Sequence, residues 1–257
     1  MKASVIIANF NNEKFIDECI NSLNSQTYKN IEIIFFDDSS SDNSIKKIEK
    51  FQNVKLIKND DKTNFSTFNQ MNAFKKAIDL STGDIIFFLD SDDFFHEKKV
   101  EKVIDFFSKE KDKMIIFDFP IILKKDKKIK QKKINKFFKT YWDYIHPTSC
   151  ISIRKSIADK IFDNIFNYKF SNTWMDFRIH LYSKYLNNNF TVLNENLTYY
   201  RRHENSITIK FTKISKEWWI RRAEAHDYLR FFAEKNDLNI KKNYDFIITK
   251  LLYKLIK

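Results

Sequence analysis

Residues 31–42 of the chain read IEIIFFDDSSSD and residues 84–93 read DIIFFLDSDD, so that two apolar runs each end in a cluster of aspartates. Both runs are too short to cross a membrane and are rich in β-branched and aromatic residues, which is typical of buried strands in a parallel sheet. Ligand sites in open α/β sheets lie just outside the carboxyl ends of such strands. Carboxylates gathered there repel one another unless a cation lies among them. The two stretches therefore predict a metal-assisted site for a phosphate-bearing ligand.

The first half of the chain alternates between strand-like and helical patterns. Ser41 or Asp42 is the expected cap of a short helix, and Gly83 is expected to be a left-handed C-cap. Repeated βα units of this kind imply a parallel sheet with right-handed crossovers. Strands are predicted at residues 4–8, 31–36, 54–57 and 84–89, and longer helices at residues 67–80 and 97–107,.

The pattern becomes less regular after residue 113, and from about residue 215 it is helical to the end. The predicted fold class is α/β, with a mixed, mainly parallel sheet flanked by helices and a helical C-terminal appendage. The simplest division places residues 1–210 in one domain and residues 211–257 in the appendage. Short strands are predicted at residues 114–119, 149–153, 190–193 and 197–200, a basic β-excursion at residues 121–139, and helices at residues 156–162 and 175–186,.

Composition is that of a globular protein, with 43% hydrophobic and 31% charged residues,. The sequence opens with no signal-peptide pattern, and no apolar run approaches the length of a transmembrane helix. Cys19 and Cys150 are the two cysteines and provide no disulfide framework,. A reducing cytoplasm is therefore the expected location.

The formal net charge of +12 leaves several interpretations open. Residues 124–139 hold nine lysines, which suit a solvated loop, contact with an anionic inner membrane face, or attraction to a phosphorylated acceptor,. No nucleic-acid-binding motif is recognised, so nucleic acid is not an expected partner. The C-terminal helices are equally compatible with core packing, with a homodimer and with a peripheral membrane contact.

Five motifs, in the correct order and spacing, resemble the inverting glycosyltransferases of GT-A type, family 2, which use nucleotide-sugar donors. The resemblance covers about residues 2–206. It implies a GT-A fold with a donor half at residues 1–95 and an acceptor half at residues 96–210. The motifs are SVIIANFNNEKFIDECINSLNSQTY at residues 4–28, DDSSSD at 37–42, STGDIIFFLDSDD at 81–93, TWMDFRIHLY at 173–182 and YYRRHENSIT at 199–208.

The resemblance assigns the first three motifs to donor binding. It places Phe10 against the nucleobase and lets Asp38 accept a hydrogen bond from it, which would suit uracil. Asp92 is the expected ligand of Mn²⁺ or Mg²⁺, which would neutralise the leaving nucleoside diphosphate. The same resemblance adds four further nucleotide-sugar-binding candidates, namely Asn11, Glu13, Asp90 and Ser91.

The last two motifs supply the remaining chemistry. Asp176 is the expected general base that takes the proton of the attacking hydroxyl, giving inversion at the anomeric carbon. Arg201 and His203 match the loop that covers the donor diphosphate in the family. The chain departs from the family pattern at Met175, which replaces a common Glu, and at Ala8, which replaces a proline. The family's ARNxG helix motif is also absent, and Lys75 or Lys76 is left as a possible diphosphate contact.

The expected function is metal-dependent, inverting transfer of a hexosyl or N-acetylhexosaminyl group from a nucleotide-sugar, with UDP as the expected nucleotide, to a hydroxyl of a bacterial surface glycan. By family analogy the acceptor is a lipopolysaccharide, lipooligosaccharide or capsule glycan, free or lipid-linked. The alternatives are a non-catalytic basic binding protein and an inactive glycosyltransferase relative. A receiver-like phosphoacceptor domain would explain the first aspartate pair, but not the second cluster or the Asp176 segment.

Overall fold

One mixed sheet runs through the protein. The computed structural model describes residues 1–59, 63–124, 127–132, 141, 144–204, 206 and 211–256. Within these ranges, nine strands pair in a single sheet. The strands are β1 (Ala3–Asn9), β2 (Ile31–Asp37), β3 (Val54–Lys58), β4 (Ile85–Asp90), β5 (Phe94–Phe95), β6 (Ile115–Lys124), β7 (Lys127–Lys130), β8 (Ile151–Arg154) and β9 (Phe190–Arg202).

The strand order is β3-β2-β1-β4-β8-β6-β9-β5, with β7 paired to β6. The first four strands of that order are parallel, β8 runs antiparallel to both of its neighbours, and β6 and β9 are parallel. The predicted mixed, mainly parallel α/β sheet is confirmed. Because β1 lies between β2 and β4, the carboxyl ends of the two aspartate-bearing strands flank the end of β1.

Helices cover both faces of the sheet, and alternate side chains of β1 explain why. Val5 and Ile7 belong to one buried cluster with α1 and α4, while Ile6 belongs to another with α3, α5 and α6,. A strand that is apolar on both faces must be covered on both faces. The helices are α1 (Ile16–Asn24), α2 (Ser44–Ile48), α3 (Ser66–Asp79), α4 (Lys99–Lys109), α5 (Ala158–Ile165), α6 (Met175–Tyr182), α7 (Lys216–Lys235) and α8 (Tyr244–Ile256).

Several predicted boundaries change in the structure. The strands predicted at residues 190–193 and 197–200 form one strand, β9, and the helix predicted at 175–186 ends at Tyr182 before a π-helical turn. The short helix α2 has Asn43 in its cap position, although Asp42 Oδ1 accepts the backbone N–H of Ser44 at 2.9 Å. Of the predicted basic excursion, residues 125–126 and 133–139 lie outside the described residues.

The interpretation of Gly83 as a left-handed C-cap is wrong. No described glycine has a positive φ, and the reason for glycine is instead close packing against β1. A Cβ atom at this position would lie 2.4 Å from Ser4 Oγ and 2.7 Å from the Ser4 backbone nitrogen. The Gly83 N–H donates to Ser4 Oγ at 2.9 Å and to Glu32 Oε1 at 3.0 Å. Directly before β4, therefore, the chain has room for the hydrogen atom of glycine but not for a side chain.

A buried ion pair supports the sheet beneath the aspartate clusters. Lys99 of α4 and Asp118 of β6 are almost fully buried, and Lys99 Nζ lies 2.8 Å from Asp118 Oδ2. The same ammonium donates to the carbonyl of Ser149 and to Thr198 Oγ1. Burial raises the pKa of Asp118, although the Lys99 charge works against this. Because each charge is paired and hydrogen-bonded, the contact fixes the 3₁₀ turn Thr148–Cys150 against β9,.

The two C-terminal helices differ in how far they join the core. Tyr228, Leu229 and Phe232 of α7 are buried in the cluster that also contains α5 and α6. In contrast, α8 lies on α7 and exposes most of its apolar residues. The predicted division of the chain at residue 210 stays a prediction. No described helix is long and apolar enough to cross a membrane.

Replacing Gly83 with alanine is expected to lower the free energy of unfolding by about 1–3 kcal/mol, because the added methyl group overlaps the β1 backbone,. Chemical denaturation measures the change. Leu80→Ala, at a residue that is 47% exposed, is the control and is expected to change stability by less than about 0.5 kcal/mol,. Equal stabilities for the Gly83→Ala variant and the parent chain would contradict the packing argument.

Candidate active site

A cavity of about 380 Å³ opens at the carboxyl ends of β1, β2 and β4. It lies where open α/β sheets bind ligands. An adjoining cavity of about 240 Å³ shares part of its wall. Among the residues predicted from the sequence, the larger cavity is lined by Phe10, Asp38, Asp90, Asp92, Asp176 and His203. These residues come from motifs up to about 190 positions apart, and the fold brings them together.

The two aspartates of the first pair have different positions, one within the loop after β2 and the other at the cavity. Asp37 is fully buried and holds the turn, since its carboxylate accepts the Asn9 side-chain amide at 2.7 Å and the Ser40 backbone N–H at 2.9 Å. Asp38 lines the cavity and accepts the Asn59 amide at 2.8 Å. Phe10 also lines the cavity and is 45% exposed, so that part of its ring can be reached by a ligand,.

Asn11 and Glu13 hold the loop that follows β2 and do not line the cavity. Asn11 Oδ1 accepts the Ser41 N–H at 2.8 Å, and Glu13 Oε2 accepts the Asn43 N–H at 2.6 Å. Asn11 has a φ of 52°, a left-handed conformation that asparagine tolerates better than most residues,. Ser91 is likewise buried away from the cavity, and its hydroxyl accepts the Asn12 amide at 3.0 Å. Through these contacts, Asn11, Glu13 and Ser91 stabilise the cavity wall from behind rather than line it.

The second cluster places three carboxyl groups close together in a largely buried region. Burial raises the pKa of Asp90 to about 8, and the charges of Asp92 and Asp176 act in the same direction. Gln70 of α3 donates to Asp90 Oδ1 at 2.8 Å and offsets part of this effect. Burial, followed by the charges of Asp92 and Asp90, also raises the pKa of Asp93 well above its usual range. A cation in the cavity would relieve this repulsion.

Asp92 and Asp93 have separate partners. Asp92 reaches the cavity, where its Oδ2 lies 3.0 Å from His203 Nε2. Asp93 points back into the protein and accepts the Ser149 hydroxyl at 2.6 Å and the Arg201 backbone N–H at 2.8 Å. Asp93 therefore ties the end of β9 to the turn after β4, while Asp92 stays available to a ligand.

Arg201, unlike its neighbour Arg202, does not line either cavity. Its Nε donates to the Asp92 carbonyl at 2.9 Å, its terminal nitrogen pairs with Glu18, and its guanidinium lies 4.6 Å from the Phe15 ring centroid. These contacts hold the Asp92 backbone in place. Arg202, the next residue on the strand, lines the adjoining cavity.

The residues at this edge fit a divalent cation that is also bound by phosphate. Among the described residues, no group of three or more His, Cys, Asp or Glu side chains is placed to hold a metal ion by itself. The Asp92 carboxylate is a hard oxygen ligand, and its charge adds to the effect of burial on the pKa of Asp90. Mg²⁺ and similar ions are commonly held by one or two carboxylates together with substrate phosphates and water.

Asp176 lies at the junction of the two cavities and lines both. It is in the first turn of α6, and its Oδ1 accepts the Phe177 N–H at 2.7 Å. Burial raises the pKa of its carboxyl, while the charge of Arg221 on α7 acts to lower it. Trp174, directly before the helix, lines both cavities as well. The helix terminus thus presents a carboxylate and an aromatic ring at the same point.

Two parts of the wall were missed by the sequence reasoning. One is a polar stripe on α3, whose helical spacing could have revealed it. The other is Arg221, which has no local sequence signal because its position depends on the packing of α7. Lys75 is directed elsewhere, pairing with Asp79 at 2.8 Å and Asp159 at 2.7 Å, and Lys76 does not line either cavity. The residues of the α3 stripe are Ser66, Asn69, Gln70 and Ala73.

Known proteins with this fold share the same overall layout. The structure of residues 1–349 of TarS from S. aureus, solved in complex with UDP-GlcNAc, matches with a TM-score of 0.66. The match covers 100% of this chain and 71% of that chain at 15% identity, and it confirms the predicted GT-A fold class.

Sequence comparison identifies relatives that extend beyond this chain. An uncharacterised glycosyltransferase of Nostoc sp. is 31% identical over 220 residues, which are 79% of this chain and 65% of the relative. The Escherichia coli protein WfaP, a UDP-Glc:alpha-D-GlcNAc-diphosphoundecaprenol beta-1,3-glucosyltransferase, is 39% identical over 108 residues, which are 42% of each chain. The chain therefore spans less than two thirds of the length of these curated relatives. Residues 4–180 match the family described as Glycosyl transferase family 2. This match covers more than half of the sequence, and the chain belongs to glycosyl transferase family 2.

Proposed function

We propose that the chain is an inverting, metal-dependent glycosyltransferase that moves a sugar from a UDP-sugar to a hydroxyl of a bacterial surface glycan. The observation that carries the proposal is the single cavity on which Asp38, Asp92 and Asp176 converge. The roles proposed for these carboxylates are base recognition for Asp38, metal binding for Asp92 and proton acceptance for Asp176, and the aromatic residue Phe10 lines the same cavity. Family membership supports the same reaction class.

The proposed reaction is one in-line displacement at the anomeric carbon. Phe10 stacks on the nucleobase and Asp38 accepts its imide N–H, which orients the donor. Asp176 takes the proton of the acceptor hydroxyl while the new C–O bond forms and the bond to the diphosphate oxygen breaks. The nucleoside diphosphate leaves with the bonding electron pair, and the configuration at the anomeric carbon inverts.

Asp92 would hold Mn²⁺ or Mg²⁺ against the donor diphosphate. Such an ion, when bound, neutralises charge that develops on the leaving group. His203 contacts Asp92 and lines the cavity, so its ring is placed either to orient that carboxylate or to donate to a phosphate oxygen. Arg201 acts through the backbone of Asp92 rather than by direct contact with the donor.

Two comparisons support a UDP-sugar donor and a lipid-linked sugar acceptor, while the lipopolysaccharide, lipooligosaccharide or capsule type of the glycan is proposed by family analogy. TarS was solved with UDP-GlcNAc, and the name of WfaP gives UDP-Glc as donor and a diphosphoundecaprenol-linked sugar as acceptor. A hexosyl or N-acetylhexosaminyl donor and a lipid-linked acceptor follow from these as proposals. We retain residues 1–210 as the catalytic domain and residues 211–257 as its helical appendage in this scheme.

The exposed face of α8 supports a peripheral contact with an anionic membrane surface. Leu251 is 59% and Leu255 is 82% exposed, and Ile247 and Ile248 lie on the same helix. The net charge of +12 and the exposed Lys254 of this helix complement anionic lipids,. A lipid-linked acceptor would be found at such a surface. A homodimer through the same face is the competing outcome.

Substituting Asp92 with Asn is expected to reduce Mn²⁺-dependent hydrolysis and transfer of UDP-sugars by on the order of a hundredfold, because charge on the leaving diphosphate is no longer neutralised. Asp38→Ala is expected to weaken UDP binding by roughly tenfold or more through loss of one hydrogen bond to a charged acceptor. UDP release from a panel of UDP-sugars measures the first effect, and calorimetry the second.

Asp159→Asn is the matched control, since the Asp159 side chain is 78% exposed and contacts Lys75 outside the cavity. Its activity should equal that of the parent chain. Binding of UDP without any turnover of a donor panel would favour the inactive relative, and no nucleotide binding would favour a non-catalytic basic protein.

The pH dependence of turnover tests the proposed base. Asp176 must be ionised to accept a proton, so kcat/KM should rise as pH increases through its pKa, which burial raises. Arg221→Gln removes the cation that acts to lower this pKa, so the acid limb of the profile should move to higher pH,. Asp176→Asn should reduce kcat by about 10²–10⁴-fold. An acid limb that stays in place or moves to lower pH in Arg221→Gln, with Arg230→Gln as control, would exclude Asp176 as the titrating base.

Vesicle co-sedimentation tests the membrane contact. The protein should bind phosphatidylglycerol vesicles and release as salt increases, because surface attraction is screened. The double substitution Leu251→Ser and Leu255→Ser should weaken binding by more than about tenfold, while Leu80→Ser, at an exposed leucine outside α8, should not,. A concentration-dependent dimer that the α8 substitutions dissociate, without vesicle binding, would identify α8 as a dimer interface instead.

A further inference from the structure

The lining of the adjoining cavity indicates which acceptor could bind, whereas the larger cavity, called the donor cavity below, contains the proposed nucleotide-sugar site. Asp176, Trp174 and Tyr200 line both cavities, so a molecule in the adjoining cavity would lie beside the proposed base. Tyr144 adds a third aromatic residue, and Asn172 and Thr173 add polar groups. Aromatic faces beside polar groups are surfaces on which a sugar ring can pack and hydrogen-bond.

Two arginines line this same space. Arg202 comes from the end of β9 and Arg221 from α7, so the fold brings them together from separate elements. The described lining contains only one carboxylate, that of Asp176. One basic residue would be enough to lower the pKa of Asp176, so the presence of a second arginine needs a different explanation.

Neither arginine forms an ion pair with a described residue. The Arg221 guanidinium lies 4.7 Å from the ring centroid of Phe211, and that of Arg202 lies 5.9 Å from the ring centroid of Tyr200. Glu224, one helical turn from Arg221, is already occupied. Its Oε1 accepts the Asn172 N–H at 2.6 Å and the Thr173 hydroxyl at 3.1 Å, and its Oε2 accepts the Asn172 side-chain amide at 2.8 Å. Glu224 thus holds the cavity wall.

We propose that the adjoining cavity is an acceptor subsite for a sugar that carries an anionic group, with Arg202 and Arg221 as the residues that bind the anion. The proposal rests on the function proposed above, because it uses Asp176 as the base for the acceptor hydroxyl. The anionic group is a phosphate or a carboxylate, since arginine binds both through paired N–H donors. Arg202 lines only this cavity, whereas Arg221 also lines the donor cavity. A substitution at Arg202 therefore tests acceptor binding separately from donor binding.

Binding of small acceptor probes to the full chain tests the proposal. Wild-type protein is first titrated with UDP and Mg²⁺, and failure at this step contradicts the proposed function rather than the subsite alone. The UDP-loaded protein is then titrated with N-acetylglucosamine, N-acetylglucosamine 1-phosphate, glucuronate and inorganic phosphate. At least one of the two charged sugars should bind roughly tenfold or more tightly than the neutral sugar, and the one that does identifies the anion.

Variants assign that preference to the arginines. Arg202→Gln should remove most of the tenfold preference, and Arg202→Lys should restore only part of it, because lysine lacks the planar pair of donors. Arg230→Gln is the matched control, since Arg230 is an exposed residue of α7 whose nearest carboxylate, Glu234, lies 3.8 Å away. The subsite is refuted if UDP-loaded protein binds no charged sugar more tightly than the neutral one. It is also refuted if inorganic phosphate binds as tightly as the charged sugars, or if the preference persists in Arg202→Gln.

Discussion

Burial of the carboxyl groups at the end of β4, together with the charge of Asp92 beside them, is the constraint on which the rest of the site depends. Burial raises the pKa values of Asp90 and Asp93, and the charge of Asp92 adds to both shifts. The protein satisfies Asp93 internally, through the Ser149 hydroxyl and the Arg201 N–H, which fixes the 3₁₀ turn and the end of β9. Asp92 keeps an oxygen directed to the cavity. The contacts that stabilise Asp93 therefore leave the neighbouring Asp92 available to bind a cation.

The second organising feature is the meeting of two cavities at the start of α6. Asp176 is held there by its place in the first turn of α6, a favourable position for a negative charge,. The α7 helix closes this part of the molecule, since Tyr228 and Phe232 are buried in the core and Arg221 reaches both cavities. Although α7 was expected to be part of an appendage, its side chains complete the walls around the proposed base.

The parts of the site that the sequence could predict are those encoded by local patterns. The apolar runs ending in aspartates predicted both strands and the sheet edge, and Asp38, Asp92, Asp176 and His203 all line the cavity. The sequence could not show why Gly83 is glycine, because its neighbour in space is Ser4, 79 positions away. It also could not separate Arg201 from Arg202, since consecutive strand residues face opposite sides and only tertiary packing decides which side meets a cavity. Arg221 depends on the docking of a helix distant in sequence.

The central claim is that this sheet edge binds a nucleoside diphosphate through a divalent cation. The most direct measurement is the dissociation constant of UDP for the wild-type chain, determined by calorimetry with and without Mn²⁺. UDP is expected to bind saturably at one site, and Mn²⁺ is expected to strengthen the binding by roughly tenfold or more. Absence of UDP binding in both conditions, or an affinity that does not change with the metal, would contradict it.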